Sequence, residues 1–172
     1  MKRLGRLMRL GSLKMTRCSK DAMKLLIIGA CIKHGVTNRN QIKYVLATVE
    51  HETAGTYMPV KEAYWLSDGW RKRNLRYYPY YGRGFVQITW KSNYVKFSKI
   101  LDVDFVKNPD LALELEHAVN ILVIGMKYGH FTGKKLDDYI TRKKIDFRRA
   151  RRIINGLDKA KKIASLAQSI II

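Results

Sequence analysis

The stretch KNPDLALELEHAVNILVIGMKYG, Lys107 to Gly129, limits the fold more than any other part of the chain. Asn108 stands where a helix cap belongs, and Pro109 suits a first helical turn because the N–H it lacks would be unpaired there anyway. Gly129 supplies a stop. Between them Leu111, Leu115, Ala118, Leu122 and Met126 recur at helical spacing, which predicts a core helix. A helix of that kind must be wrapped by other elements, and the flanking sequence offers mostly helices.

One helical pattern runs from Ser19, as cap, to about His34, with Gly35 beyond its end. A second opens near Thr37–Asn38 and closes at Gly55, with Ile42, Val45, Leu46 and Val49 on one face. Asn93 to Leu101 reads as a helix with Tyr94, Phe97 and Ile100 inward. Two more are expected: Asp146 to Asn155, stopped by Gly156, and Asp158 to about Ile170, with Ile163, Ala164 and Ala167 inward. Only GFVQIT, Gly84 to Thr89, alternates like a strand. Residues 55 to 83 show no sustained period and predict a long, partly ordered loop or a short hairpin, of the kind that is functional or mobile. The expected class is therefore mainly α, an α+β chain with one small β element.

A length of 172 residues suits one domain, assigned to residues 15–172. Residues 1–14, MKRLGRLMRLGSLK, place Leu4, Leu7, Leu10 and Leu13 three apart among Lys2, Arg3, Arg6, Arg9 and Lys14. That makes a cationic amphipathic extension, with a disordered basic tail as the plainer alternative. The apolar run Ala22 to Ile32 is about half of a membrane span. It follows a basic stretch and ends in IGAC, but Lys24 and Asp21 crowd it, which favours a buried helix over a signal peptide.

Lysine and arginine number 34 against 14 acidic residues, a formal net charge of +20. Such a chain is drawn to polyanions, whether nucleic acid, anionic lipid or an acidic wall polymer. No helix-turn-helix, zinc-finger or aromatic RNA-binding signature is present, so no specific nucleic-acid partner is expected. Cys18 and Cys31 form no metal-ligand spacing, and His34, His51, His117 and His130 are scattered, so neither metal nor cofactor is expected. HETAG lacks the second histidine of a zinc-protease motif, and YGRGFVQ lacks the third glycine and preceding strand of a dinucleotide loop. There is no GxSxG elbow for a nucleophilic serine.

What remains is a pair of carboxylates in opposite contexts. Glu52 falls on the apolar side of its helix, after Val45 and Val49, where desolvation would favour a proton-holding general acid. Glu62 lies in the loop beside Lys61, in a basic and open setting suited to an ionised general base. One protonated and one charged carboxyl match the division of labour in glycoside hydrolysis.

EHETAG, then Glu62, then YYGRGFVQITWKSNY (Tyr80 to Tyr94) and finally RRIING ending near Asn155 together resemble the successive motifs of the family 19 chitinase-like glycoside hydrolases. GHFTGKKLDDYI and ARRIINGLDKA are closer to the bacteriophage endolysins of that family than to plant chitinases. The resemblance covers roughly Lys43 to the C-terminus. It implies a lysozyme-like, mainly helical fold and hydrolysis with inversion. It also implies Glu52 as general acid, Glu62 as general base, and Thr89 as the hydroxyl that helps hold the attacking water. Gln87, Asn93 and Asn155 match sugar-bonding positions; Tyr81 and Trp90 are expected as cleft aromatics, with core packing the alternative for Trp90.

Ala54 and Thr56 depart from the HETTGG form of the chitinases, their cysteines are missing, and Val119 stands where a sugar-contacting lysine is usual. These departures favour peptidoglycan over chitin. The expectation is then a monomeric endolysin, made in a host bacterium's cytoplasm and acting on its wall. It would cut between N-acetylmuramic acid and N-acetylglucosamine, and its basic N-terminus would touch the anionic outer membrane. Arg148, Arg149, Arg151, Arg152, Lys159, Lys161 and Lys162 are expected on the outer faces of the last two helices. A chitinase and a non-catalytic basic wall-binding module are the alternatives.

Overall fold

The computed structural model describes residues 20–172; the amphipathic extension, the Ser19 cap and Cys18 lie outside the described residues. Helix α1 covers 20–33, and Met23, Ile27 and Cys31, four apart, turn into the core. Burial pushes the Cys31 thiol up to about 12, so it behaves as a small apolar side chain. Helix α2 is Arg39–Glu52, capped by Asn38, whose side-chain oxygen accepts the N–H of Asn40. Strand β1 is Val60–Lys61 and helix α3 is Asp68–Asn74, capped by Ser67. Strand β2, Arg83–Gly84, pairs antiparallel with β1, Val60 opposite Gly84 and Lys61 opposite Arg83. Then come α4 (Lys91–Leu101), a 3-10 turn (Pro109–Leu113), α5 (Leu115–Tyr128), α6 (Leu136–Tyr139), a second 3-10 turn (Arg149–Ile153) and α7 (Ala160–Ser169). The described chain is mainly helical with one two-stranded sheet, the class expected. No helix among the described residues is long and apolar enough to cross a membrane.

Several elements differ from expectation. The core helix begins at Leu115, because Asn108 makes no side-chain cap and Glu114 is extended at ψ 135°. The separate turn before it carries Ala112 inward and Asp110 onto Arg83 and Lys61. GFVQIT is not a strand: Arg83 and Ile88 exchange both backbone hydrogen bonds and Gln87 takes φ +53°, so the segment is a tight hairpin return. The helix expected over Asp146–Asn155 shrinks to one 3-10 turn, with Ile154 and Asn155 both donating to the Arg151 carbonyl. Residues 55 to 84 hold α3 between two short antiparallel strands, so the paired strands of the hairpin alternative are present and a helix is inserted between them. Ile100 is 36% exposed instead of inward.

Helix α5 is shared between two apolar clusters. Its Ala118, Val119, Leu122 and Met126 join α1, α2 and α7, while Ile121 meets Ile88, Tyr94, Phe97, Phe105 and Ala112. Phe131 packs against both, its ring 5.8 Å from that of Phe97. It reaches α5 only because residue 125 is glycine: a Cβ there would lie 2.1 Å from the Phe131 ring. Alanine improves helix propensity by about 1 kcal/mol, but the overlap demands that a packed ring move. Gly125→Ala is predicted to lower stability by about 2 kcal/mol in urea titrations, and adding Phe131→Leu should return part of that loss.

Candidate active site

Helix α2 ends on Glu52. Thr53, buried, donates its hydroxyl to the Val49 carbonyl and accepts the N–H of Tyr57, which reverses the chain towards β1. The turn leaves a cleft of about 660 Å³ lined by Glu52, Met58, Val60, Lys61, Tyr64 and Leu113, among others. A carboxylate at this position faces the negative end of its own helix and needs a cation. Arg151 supplies it: Nη1 donates to Glu52 Oε1 at 2.5 Å, while Nε donates to the Asp158 carbonyl. Glu52 Oε2 has no hydrogen-bond partner among the described residues. Burial lowers the pKa of the neighbouring His51, so its imidazole does not compete for Glu52 as a cation at neutral pH.

This corrects two expectations. Glu52 does not face an apolar wall alone but is paired with a buried guanidinium. Arg151, expected outside, has its side chain 5% exposed, whereas Arg148, Arg149, Arg152, Lys159, Lys161 and Lys162 are exposed as expected.

Glu62 is the residue after β1, whose Val60 and Lys61 line the cleft. Its Oε1 accepts from the Tyr77 hydroxyl at 2.7 Å and its Oε2 from the Gly82 N–H at 2.8 Å. The Tyr77 hydroxyl keeps its proton to higher pH because it donates to this carboxylate. Gly82 has no room for a side chain: a Cβ would meet Gln87 Oε1 at 2.7 Å and Glu62 Oε2 at 3.3 Å. The hairpin is anchored from beneath by Arg83, whose side chain is 4% exposed and donates to Asp110 and to the carbonyls of Pro79 and Tyr81.

The remaining expected residues divide. Gln87 donates both amide hydrogens inward, to the Val60 and Gly84 carbonyls, so it braces the hairpin and has no donor left for a sugar. Asn93 likewise donates to the Thr89 carbonyl and accepts from Lys96. The Thr89 hydroxyl donates to the Gln87 carbonyl, leaving its oxygen free to accept. Tyr81 is 2% exposed, one face covered by the Arg83 guanidinium at 3.7 Å; it is packing, not an open cleft aromatic. Trp90 is 46% exposed and lies edge-on to Tyr77, the tyrosine bonded to Glu62. Asn155 is exposed and accepts only from its neighbour Gly156.

No cluster among the described residues could hold a metal ion. Arg151, Tyr77 and Tyr64 were not singled out as site residues from the sequence. Tyr77 opens the tyrosine-rich stretch YYPYY, and no local spacing marks its bond to Glu62.

No family model matches the chain, and no curated protein does. Among solved structures, the crystal structure of a chitinase C mutant is similar at a TM-score of 0.39 and 17% identity, over 77% of this chain and 74% of that one. The likeness is too slight to assign a family.

Proposed function

We propose that the protein is a glycoside hydrolase acting on peptidoglycan, in the manner of an endolysin, with Glu52 as general acid and Glu62 as general base. The observation that carries this is that Glu52 lines the same cleft as Val60 and Lys61, the strand immediately before Glu62. In the proposed reaction Glu52 delivers its proton from Oε2, the oxygen not engaged by Arg151, to the glycosidic oxygen. As the bond breaks, the carboxylate that forms is met by the guanidinium already in place, so charge develops next to a fixed cation. Glu62, held at both oxygens, takes a proton from water on the opposite face of the ring; each oxygen still has a lone pair for that task. Thr89 accepts a hydrogen bond from the same water. Inversion by this route needs a carboxyl separation of about 6.5–9.5 Å, enough to admit the water.

The charge of +20 favours an anionic wall over neutral chitin as the working surface. The full chain incubated with purified peptidoglycan is expected to release new reducing ends and muropeptide disaccharides by mass spectrometry. Release from chitin alone would move the assignment to a chitinase, and tight binding with no new ends would leave only a wall-binding module.

A further inference from the structure

The aromatic residues turned outward at the cleft are not those expected. Tyr64 and Trp65 are 67% and 71% exposed, and Tyr64 lines the cleft shared with Glu52. They occupy the two corners of a turn closed by the Leu66 N–H donating to the Ala63 carbonyl. Arg71, itself 6% exposed, donates from one guanidinium nitrogen to the carbonyls of both Ala63 and Leu66, and so pins the turn from inside the protein. The two rings meet edge to face at 5.2 Å and 86°. A buried cation therefore fixes a turn whose product is two large exposed rings.

Such rings exposed together mark a contact surface. Three observations indicate what occupies it. The cleft that Tyr64 enters is walled mostly by apolar groups, with Met58, Val60 and Leu113 beside it and the carboxylate of Glu52 within reach of the same space. The segment 62–68 holds Glu62 and Asp68 but no lysine or arginine, and the adjoining Lys61 is paired with Asp110, which disfavours an anionic membrane as the partner. The electron-rich face of an aromatic ring suits the C–H face of a pyranose, while the hydroxyls and N-acetyl groups of the sugar point outward to water.

We propose that Tyr64 and Trp65 form a stacking platform for a β-1,4-linked N-acetylated aminosugar chain at the rim of the cleft. Tyr64 meets a sugar ring, and Trp65 fixes the orientation of Tyr64 and extends the platform. This rests on the glycoside hydrolase assignment for the choice of polymer. The platform is built before substrate arrives, so little ordering is needed on binding.

The test uses the full chain carrying Glu52→Gln, so that the probe, chitohexaose, survives the titration. Binding is followed by calorimetry and by tryptophan fluorescence. Adding Tyr64→Ala or Trp65→Ala is expected to weaken binding roughly tenfold each, with melting temperature unchanged because both side chains are exposed. Trp65→Phe should retain most of the affinity and remove part of the fluorescence response. Unchanged affinity in both alanine variants overturns the platform, as does loss of binding to anionic lipid vesicles without loss of binding to the oligosaccharide. The two ideas fail separately. A chain with no turnover on any glycan but with chitohexaose binding that depends on Tyr64 would refute the hydrolase and keep the platform. A chain that turns over glycan with the same KM in the alanine variants as in wild type would do the reverse.

Discussion

Replacing Glu52 with glutamine is expected to reduce turnover of peptidoglycan by about a thousandfold, and also to lower stability, because the Arg151 guanidinium, 5% exposed, loses its counter-charge. The amide is the same size, and its oxygen can still accept the hydrogen bond that Arg151 Nη1 donates to Oε1. What it lacks is a transferable proton at Oε2, so the effect should fall on kcat and leave chitohexaose affinity near the wild-type value. Far-UV circular dichroism like that of wild type, with activity assayed in the absence of urea and well below the melting temperature, is the control that separates lost chemistry from lost structure. A glutamine variant with wild-type turnover would remove Glu52 from the mechanism.

Removing the partner has the second largest expected effect, and of a different kind. Arg151→Met deletes the donor to Glu52 and to the Asp158 carbonyl together, from a position where the side chain is 5% exposed. Breaking a buried pair costs about 3–5 kcal/mol when the other charge is left uncompensated. The Glu52 side chain is 20% exposed, so water offsets part of that, and the lower end, about 3 kcal/mol, is the prediction. Activity should fall as well, since the carboxylate loses both its anchor and its counter-charge. Glu52→Gln combined with Arg151→Met should be less destabilised than the sum of the single changes, because the second removes a partner whose charge is already gone. Simple additivity in urea unfolding would show that the two side chains act independently.

The contrast between these two residues shows what a sequence exposes and what it hides. Glu52 was legible because it sits on the periodic face of a helix whose cap, Asn38, and apolar stripe are all local. The core helix and its stop at Gly129 were legible for the same reason. Arg151 was hidden, since its partner lies 99 residues away and a run of arginines looks like a solvated surface until one of them turns inward. The hairpin was misread because alternation in GFVQIT is also the signature of a turn whose ends pair with each other, and nothing local distinguishes the two. Tyr81, expected in the cleft, is buried, and Tyr64, not singled out, is exposed, each through a nearby cation. Arg83 covers Tyr81 from two residues away and Arg71 holds the Tyr64 turn from the following helix, close partners whose direction no residue spacing gives.

The claim under all of this is that water enters between two carboxyls and attacks the face opposite the leaving group. Proton NMR of a chito-oligosaccharide or glycan digest in its first minutes, before mutarotation, reads that geometry directly. The new reducing end is expected to appear first as the α-anomer; a β-anomer at the start of the reaction would rule out attack from the opposite face.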